Sequence, residues 1–291
     1  MRALVRAREK PYNVIVSETK RPPAVAVVLP VYCGSEDHET YLAETLESVA
    51  RQTYRDFEVI LVDDASPRDI GPIVARTAGI PGLRILRNEE NCGHARSRNL
   101  GVLAAEAEFV AFLDHDDLWS AGKLERQVQV LRESPEAAMV FCKVKLFGSH
   151  AHRLKIDQTI IPRDPSFIWL VSHGNYVITA SAVLVRRSAL LEIGLFDPRY
   201  TTCDDFDAWL KIARRHPVIY LPEELASYRL HSANVNYGGD RLNDHRLMTA
   251  LVLGFWRRAP LVEKLILTYR LSRKLVGRAY FLLFRYRRFS D

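Results

Sequence analysis

Four short apolar runs with helical spacing between them constrain this 291-residue chain more than any other feature. The first, Val25–Tyr32, is continuous and rich in β-branched residues, as in a strand covered on both faces. Phe57–Val62, Leu83–Leu86 and Phe109–Leu113 follow. Between them, Leu42, Leu46 and Val49 recur at i, i+4 and i+7, and helices are expected around Ile70–Ala78 and His94–Ala105. Strands and helices alternating at this pitch give βαβ units and a parallel sheet with helices on both faces. In such sheets ligands bind beyond the carboxyl ends of the strands.

That rule makes the acids informative. The fourth run stops in Asp114-His115-Asp116-Asp117, and clustered like charges at the end of a buried strand repel strongly unless something positive joins them. A divalent cation of the Mg²⁺ or Mn²⁺ kind takes oxygen ligands and is often completed by substrate phosphates, so one or two carboxylates suffice. The alternative is that Asp114 or Asp117 merely caps the helix beginning near Ser120. The second run ends similarly, in Asp63-Asp64, so both acid groups fall on the same sheet edge. No G-x-G-x-x-G follows the first strand and no G-x-x-x-x-G-K-[ST] occurs, so a bound nucleotide would rest on carboxylates, a metal and arginines.

Further strands are expected at Ala138–Leu146 and Ala180–Val185, with an irregular stretch over 148–175. Asp204 and Asp205 open a helix whose Trp209, Ile212 and Ala213 share one face. There the helix dipole keeps a carboxylate ionised and able to act as a base, unless it is only an N-cap. Cys33, Cys92, Cys142 and Cys203 are scattered, with no C-x-x-C pair or leader, which predicts neither zinc nor disulfides and a cytoplasmic setting. No apolar run nears the roughly 20 residues of a spanning helix.

The net charge of +6 becomes informative once located: from Arg241 onward 12 Lys/Arg face 3 Asp/Glu, leaving about −3 for residues 1–240. Residues 259–289 carry Lys and Arg opposite an apolar side that includes Val262, Leu265, Ile266 and Tyr269. Two readings stand: an amphipathic helix on an anionic membrane surface, peripheral on the cytoplasmic face, or a helix packed on its own domain. Nucleic acid is not expected, for want of any binding motif. At the other end, residues 1–24 form a basic lead-in closed by Pro22-Pro23.

Several motifs then occur in order: Val27-Val-Leu-Pro30-Val-Tyr32, Glu47–Tyr54 with Phe57–Ser66, Ala95-Arg-Ser-Arg98-Asn99, and Phe112-Leu-Asp114-His-Asp116-Asp117. Gly194-Leu-Phe-Asp197, Asp204-Asp205-Phe-Asp-Ala-Trp-Leu210 and Tyr228-Arg-Leu-His231-Ser-Ala-Asn234 complete the set. Over roughly residues 25–235 the set resembles the inverting glycosyltransferases of family 2. The resemblance implies a GT-A fold, that is, a Rossmann-like, mostly parallel central sheet flanked by helices. Its catalytic domain would span 25–240, with a nucleotide-binding half at 25–119, an acceptor half at 120–240 and a basic helical tail at 241–291.

It also implies roles. Pro30, Tyr32, Asp63 and Asp64 would hold the nucleobase and ribose, with Asp64 at the base. Arg98 would meet the diphosphate or the sugar. Asp114-His115-Asp116 would be the DXD element, with Asp116 the metal ligand, Asp114 between ribose and metal, and His231 a further metal contact or a hydrogen-bonded structural residue. Asp205 would be the general base, and Asp204, where the family commonly has Glu, would be its catalytic neighbour, with a contact to the acceptor left open. The partners implied are a nucleotide-sugar, UDP-linked before dTDP or GDP, and a glycan or lipid-linked acceptor in surface polysaccharide synthesis. A nucleotidyltransferase would need a basic Gly-rich loop that Pro30–Ser35 lacks, and a silent nucleotide-sugar-binding module could dispense with the base.

Overall fold

The computed structural model describes residues 21–77, 79–200 and 202–232, and of the last stretch positions 251, 253–257, 259–261, 264, 265, 268 and 272. The first half follows the alternation: β1 (Val25–Val31), α1 (Glu36–Ala50), β2 (Phe57–Asp63), α2 (Gly71–Arg76), β3 (Leu83–Arg87), α3 (His94–Ala104) and β4 (Phe109–Phe112). Ser35 starts α1 by accepting a hydrogen bond from the His38 N–H, a cap worth about 1 kcal/mol. β1, β2, β3 and β4 pair in parallel, with Val31 level with Asp63 and Val28 level with Phe112. This register brings Tyr32, Asp64 and Asp114 to one edge.

The second half adds β5 (Leu118–Trp119), α4 (Lys123–Glu133), β6 (Met139–Phe147), α5 (Phe167–His173), β7 (Val183–Arg186), α6 (Arg187–Glu192), α7 (Asp204–Ala213) and β8 (Val218–Arg229). All eight strands join one sheet in the order β3-β2-β1-β4-β7-β6-β8-β5. It is mixed rather than parallel throughout: β7 runs antiparallel to β4 and β6, and β5 antiparallel to β8. Residues 180–182, expected as strand, form a 3₁₀ turn before β7.

β1 explains why its sequence is apolar throughout. Val25, Val27 and Leu29 pack with Leu42, Leu46 and Val49 of α1 and with α4, while Val28 packs on the other face with Val102 of α3. Gly101 lets α3 lie this close, because a Cβ there would stand 2.4 Å from Val28 Cγ1. Trp209 is buried against Phe112 and Phe196, so it belongs to the core.

Near the end of the chain, Leu251, Phe255, Trp256 and Ala259 pack on α5 and α7, whereas Leu261 and Leu265 are 74% and 64% exposed. Among the described residues no helix is long and apolar enough to cross a membrane. Most of 259–289, and residues 1–20 of the basic lead-in, lie outside the described residues.

Candidate active site

The carboxyl ends of β1, β2 and β4, the N-terminus of α7 and the end of β8 converge. At β1, Pro30 is buried and Tyr32 emerges half-exposed. At β2, Asp63 is fully buried, with one oxygen accepting the Ser66 N–H at 2.9 Å and the other paired with Arg87 of β3. Its carboxylate is therefore committed to holding the turn. Asp64 accepts from Asn88 Nδ2 at 2.6 Å, from the Cys92 N–H at 2.9 Å and from the Gly93 N–H at 2.8 Å. It ties the 88–93 loop to the sheet edge and so sets where α3 begins.

Arg98 of α3 stands at the centre. Its Nη2 donates to Asp114 at 2.8 Å and its Nη1 to Asp204 at 3.0 Å, joining the end of β4 to the start of α7. Burial works against this guanidinium, but Asp114, Asp204 and Asp205 outweigh it and hold its pKa above the ordinary arginine value. Its Nε is buried with no hydrogen-bond partner among the described residues. Beside it, Asn99 exchanges two hydrogen bonds with the Phe196 backbone, at 2.8 and 2.9 Å, which pins the Gly194–Asp197 turn to α3. Two sequence motifs a hundred residues apart thus meet as one unit.

The three acids after β4 have three different environments. The Asp114 N–H donates to Ser181 Oγ at 3.0 Å. Asp116 lies 3.0 Å from His231 Nε2; burial alone would raise its pKa, but that contact and the nearby His115 lower it. Asp117 is fully buried and accepts from Thr179 Oγ1 at 2.9 Å and from the Arg229 N–H at 3.0 Å. Burial, then the adjacent charges of Asp116 and Asp114, push its carboxyl well above the usual range.

Opposite them, Asp205 sits in the first turn of α7 with one oxygen accepting the Phe206 N–H at 2.6 Å, its one hydrogen-bond donor among the described residues. Burial and the neighbouring Asp204 raise its pKa to about 7 against the opposing pull of Arg98. A carboxyl poised there can take a proton near neutral pH.

Asp116, His231 and Asp114 fit a divalent cation as a partial set. Two carboxylates supply the oxygen donors that Mn²⁺ or Mg²⁺ takes, and the Asp117 carboxyl beside them is raised first by its burial and then by the charges of Asp116 and Asp114. Among the described residues no three His, Cys, Asp or Glu side chains form a ready cage, so phosphate oxygens of a ligand would have to complete the shell. Of the residues expected in the site, the structure places Arg98 against Asp114 and Asp204, Asp116 against His231, and Asp205 next to Asp204 in the first turn of α7. Sequence reasoning missed Thr45, Arg87, Thr179, Ser181 and Arg229, whose polar contacts with Asp63 and with the turn at 114–117 cross 24 to 113 residues.

The sequence model of glycosyl transferase family 2 matches residues 26–194, more than half of the chain. The chain belongs to glycosyl transferase family 2. Among its curated relatives, an uncharacterized glycosyltransferase of Rickettsia typhi is 28% identical over 249 residues, covering 84% of this chain and 75% of that protein. TuaG of Bacillus subtilis, whose name assigns it to teichuronic acid biosynthesis, is 29% identical over 220 residues, covering 75% and 83%. The chain spans 38% of a longer Rickettsia felis glycosyltransferase. The crystal structure of S. aureus TarS 1-349 in complex with UDP-GlcNAc superposes with a TM-score of 0.67 at 20% identity, over 86% of this chain and 72% of that one. The GT-A fold is therefore shared.

Proposed function

We propose that this family 2 glycosyltransferase is a divalent-cation-dependent, inverting enzyme that transfers a sugar from a UDP-linked donor to a hydroxyl of a glycan or lipid-linked acceptor in surface polysaccharide synthesis. The observation that carries the reading is Asp205, a partly buried carboxyl at the start of α7 whose pKa is raised to about 7 beside Asp204, across Arg98 from the acids that follow β4. Asp205 accepts the acceptor's hydroxyl proton while that oxygen bonds to the anomeric carbon and the bond to the nucleotide's phosphate oxygen breaks. Displacement in line inverts the anomeric centre. Asp204 serves by holding Arg98, whose buried Nε–H is an unspent donor for a phosphate oxygen.

Asp116, Asp114 and His231 would hold Mn²⁺ or Mg²⁺. When bound, such an ion neutralises charge on the departing nucleoside diphosphate. Tyr32, Pro30 and Asp64 form the wall for base and ribose, and Asp63 supports that wall from beneath through Ser66 and Arg87. The choice of UDP is supported by the TarS complexes with UDP-GlcNAc and UDP, and the polysaccharide context by the name of TuaG. A peripheral contact with anionic lipid is supported by exposed Leu261 and Leu265 beside Lys264 in a strongly basic tail. The test is acceptor-dependent release of nucleoside diphosphate with Mn²⁺ or Mg²⁺ and with chelator. Release abolished by chelator and lowered in Asp116→Ala and Asp205→Asn is expected, and release indifferent to all three would overturn the reading.

A further inference from the structure

The turn that carries Asp114 and Asp116 has three successive backbone carbonyls, at residues 115, 116 and 117, each held by a side-chain donor from elsewhere in the chain. The hydroxyl of Thr45, on α1, is shared between the carbonyls of His115 at 2.9 Å and Asp117 at 2.8 Å. Arg229, the last residue of β8, donates from Nε to the Asp116 carbonyl at 2.8 Å, and its N–H donates to the Asp117 carboxyl at 3.0 Å. A backbone held by its carbonyls cannot rotate its peptides, so the directions in which the neighbouring carboxylates leave the chain are fixed as well.

Arg229 is itself locked. Its guanidinium carbon lies 4.3 Å from the Tyr41 ring centroid and 4.5 Å from that of Phe147, and Nη2 pairs with Glu44. Stacking between two rings with a planar fork aimed at a carbonyl and a carboxylate is geometry that a lysine cannot reproduce. Gly148, at φ +95°, allows the close packing beneath, because a Cβ there would stand 2.7 Å from the Leu230 carbonyl oxygen and 3.2 Å from Arg229 Cγ. Two residues beyond Arg229, His231 reaches Asp116, and its ring lies 5.0 Å from Tyr41. One arginine therefore ties together α1, the acidic turn and the segment that delivers the histidine.

We propose that Arg229, together with Thr45, is a positioning residue that sets the spacing of Asp116 and His231 for a divalent cation. The inference rests on the metal role given to those two side chains above. Groups that orient metal ligands are typically worth about 10- to 100-fold in metal affinity.

The test measures Mn²⁺ affinity of the full chain by electron paramagnetic resonance in the presence of UDP, alongside Tm. Arg229→Gln and Thr45→Val should each weaken Mn²⁺ binding by about 10-fold or more, while Thr45→Ser, which keeps the hydroxyl, should stay near the parent. Arg186→Gln serves as the control for a merely structural loss, since Arg186 holds the carbonyls of Leu131 and Ala137 away from the site. It should lower Tm and leave Mn²⁺ affinity unchanged. If the parent binds Mn²⁺ and the Thr45→Val and Arg229→Gln chains bind it equally well, the positioning role is overturned by itself; should Arg229→Gln fail to fold, the Thr45 pair decides. A parent that binds no Mn²⁺ with UDP removes the metal reading and this inference together.

Discussion

The acids after β2 and the acids around Arg98 are the same residue type at the same sheet edge, yet the protein treats them oppositely. Asp63 and Asp64 have both carboxylates committed to N–H donors and Arg87, and they behave as struts for the turn and the 88–93 loop. Asp114, Asp116, Asp117, Asp204 and Asp205 crowd around one arginine and one histidine, and burial and mutual repulsion push Asp117 and Asp205 upward. Satisfied acids build; under-compensated acids are available for a proton or a cation.

The sharpest way to break this comparison is Asp205→Asn, which keeps the shape and removes the base. Turnover should fall by about 10³-fold with donor binding nearly unchanged, as read by separate rate and binding measurements. Asp116→Ala should come next, weakening metal-supported donor binding by about 100-fold in titrations with and without Mn²⁺.

The pH profile refines the comparison further. Asp205 must be ionised to accept a proton, so turnover should rise as pH passes upward through about 7 and then level off, and Asp205→Asn should lose that limb. On the other side, Asp63→Asn should act on stability. Removing one partner of a buried ion pair costs about 3 kcal/mol, visible as a lower Tm, with turnover per folded molecule little changed. An unaltered Tm with lost UDP affinity would place Asp63 among the functional acids and erase the distinction. The smallest effect expected is that removing residues 260–291 weakens binding to anionic vesicles several-fold at low salt while donor hydrolysis persists, and equal vesicle binding would discard the lipid contact.

Much of the frame was legible because it is local. The runs ending at Tyr32, Asp63 and Asp114 announce buried parallel strands, and Leu42, Leu46 and Val49 announce the helix between them. β8 was not legible: Pro222 interrupts it, Glu223 and Glu224 face outward, and its register against β6 shifts near Lys143. β5 has two residues and exists only through its pairing with β8. Asp204 and Asp205 could be recognised from their place at a helix start, but the Arg98 bridge that joins them to Asp114 spans 106 residues and leaves no local pattern. The same holds for Thr45 and Arg229, whose partners in the acidic turn lie 70 to 113 residues away.

The most direct measurement of the central claim is nucleoside diphosphate release, with acceptor, from UDP-, dTDP- and GDP-sugars by the parent and by Asp205→Asn and Asp63→Asn. The account predicts cation-dependent release from a UDP-sugar, retained per folded molecule in Asp63→Asn and reduced about 10³-fold in Asp205→Asn. Equal loss in both variants, or full activity in Asp205→Asn, would contradict it.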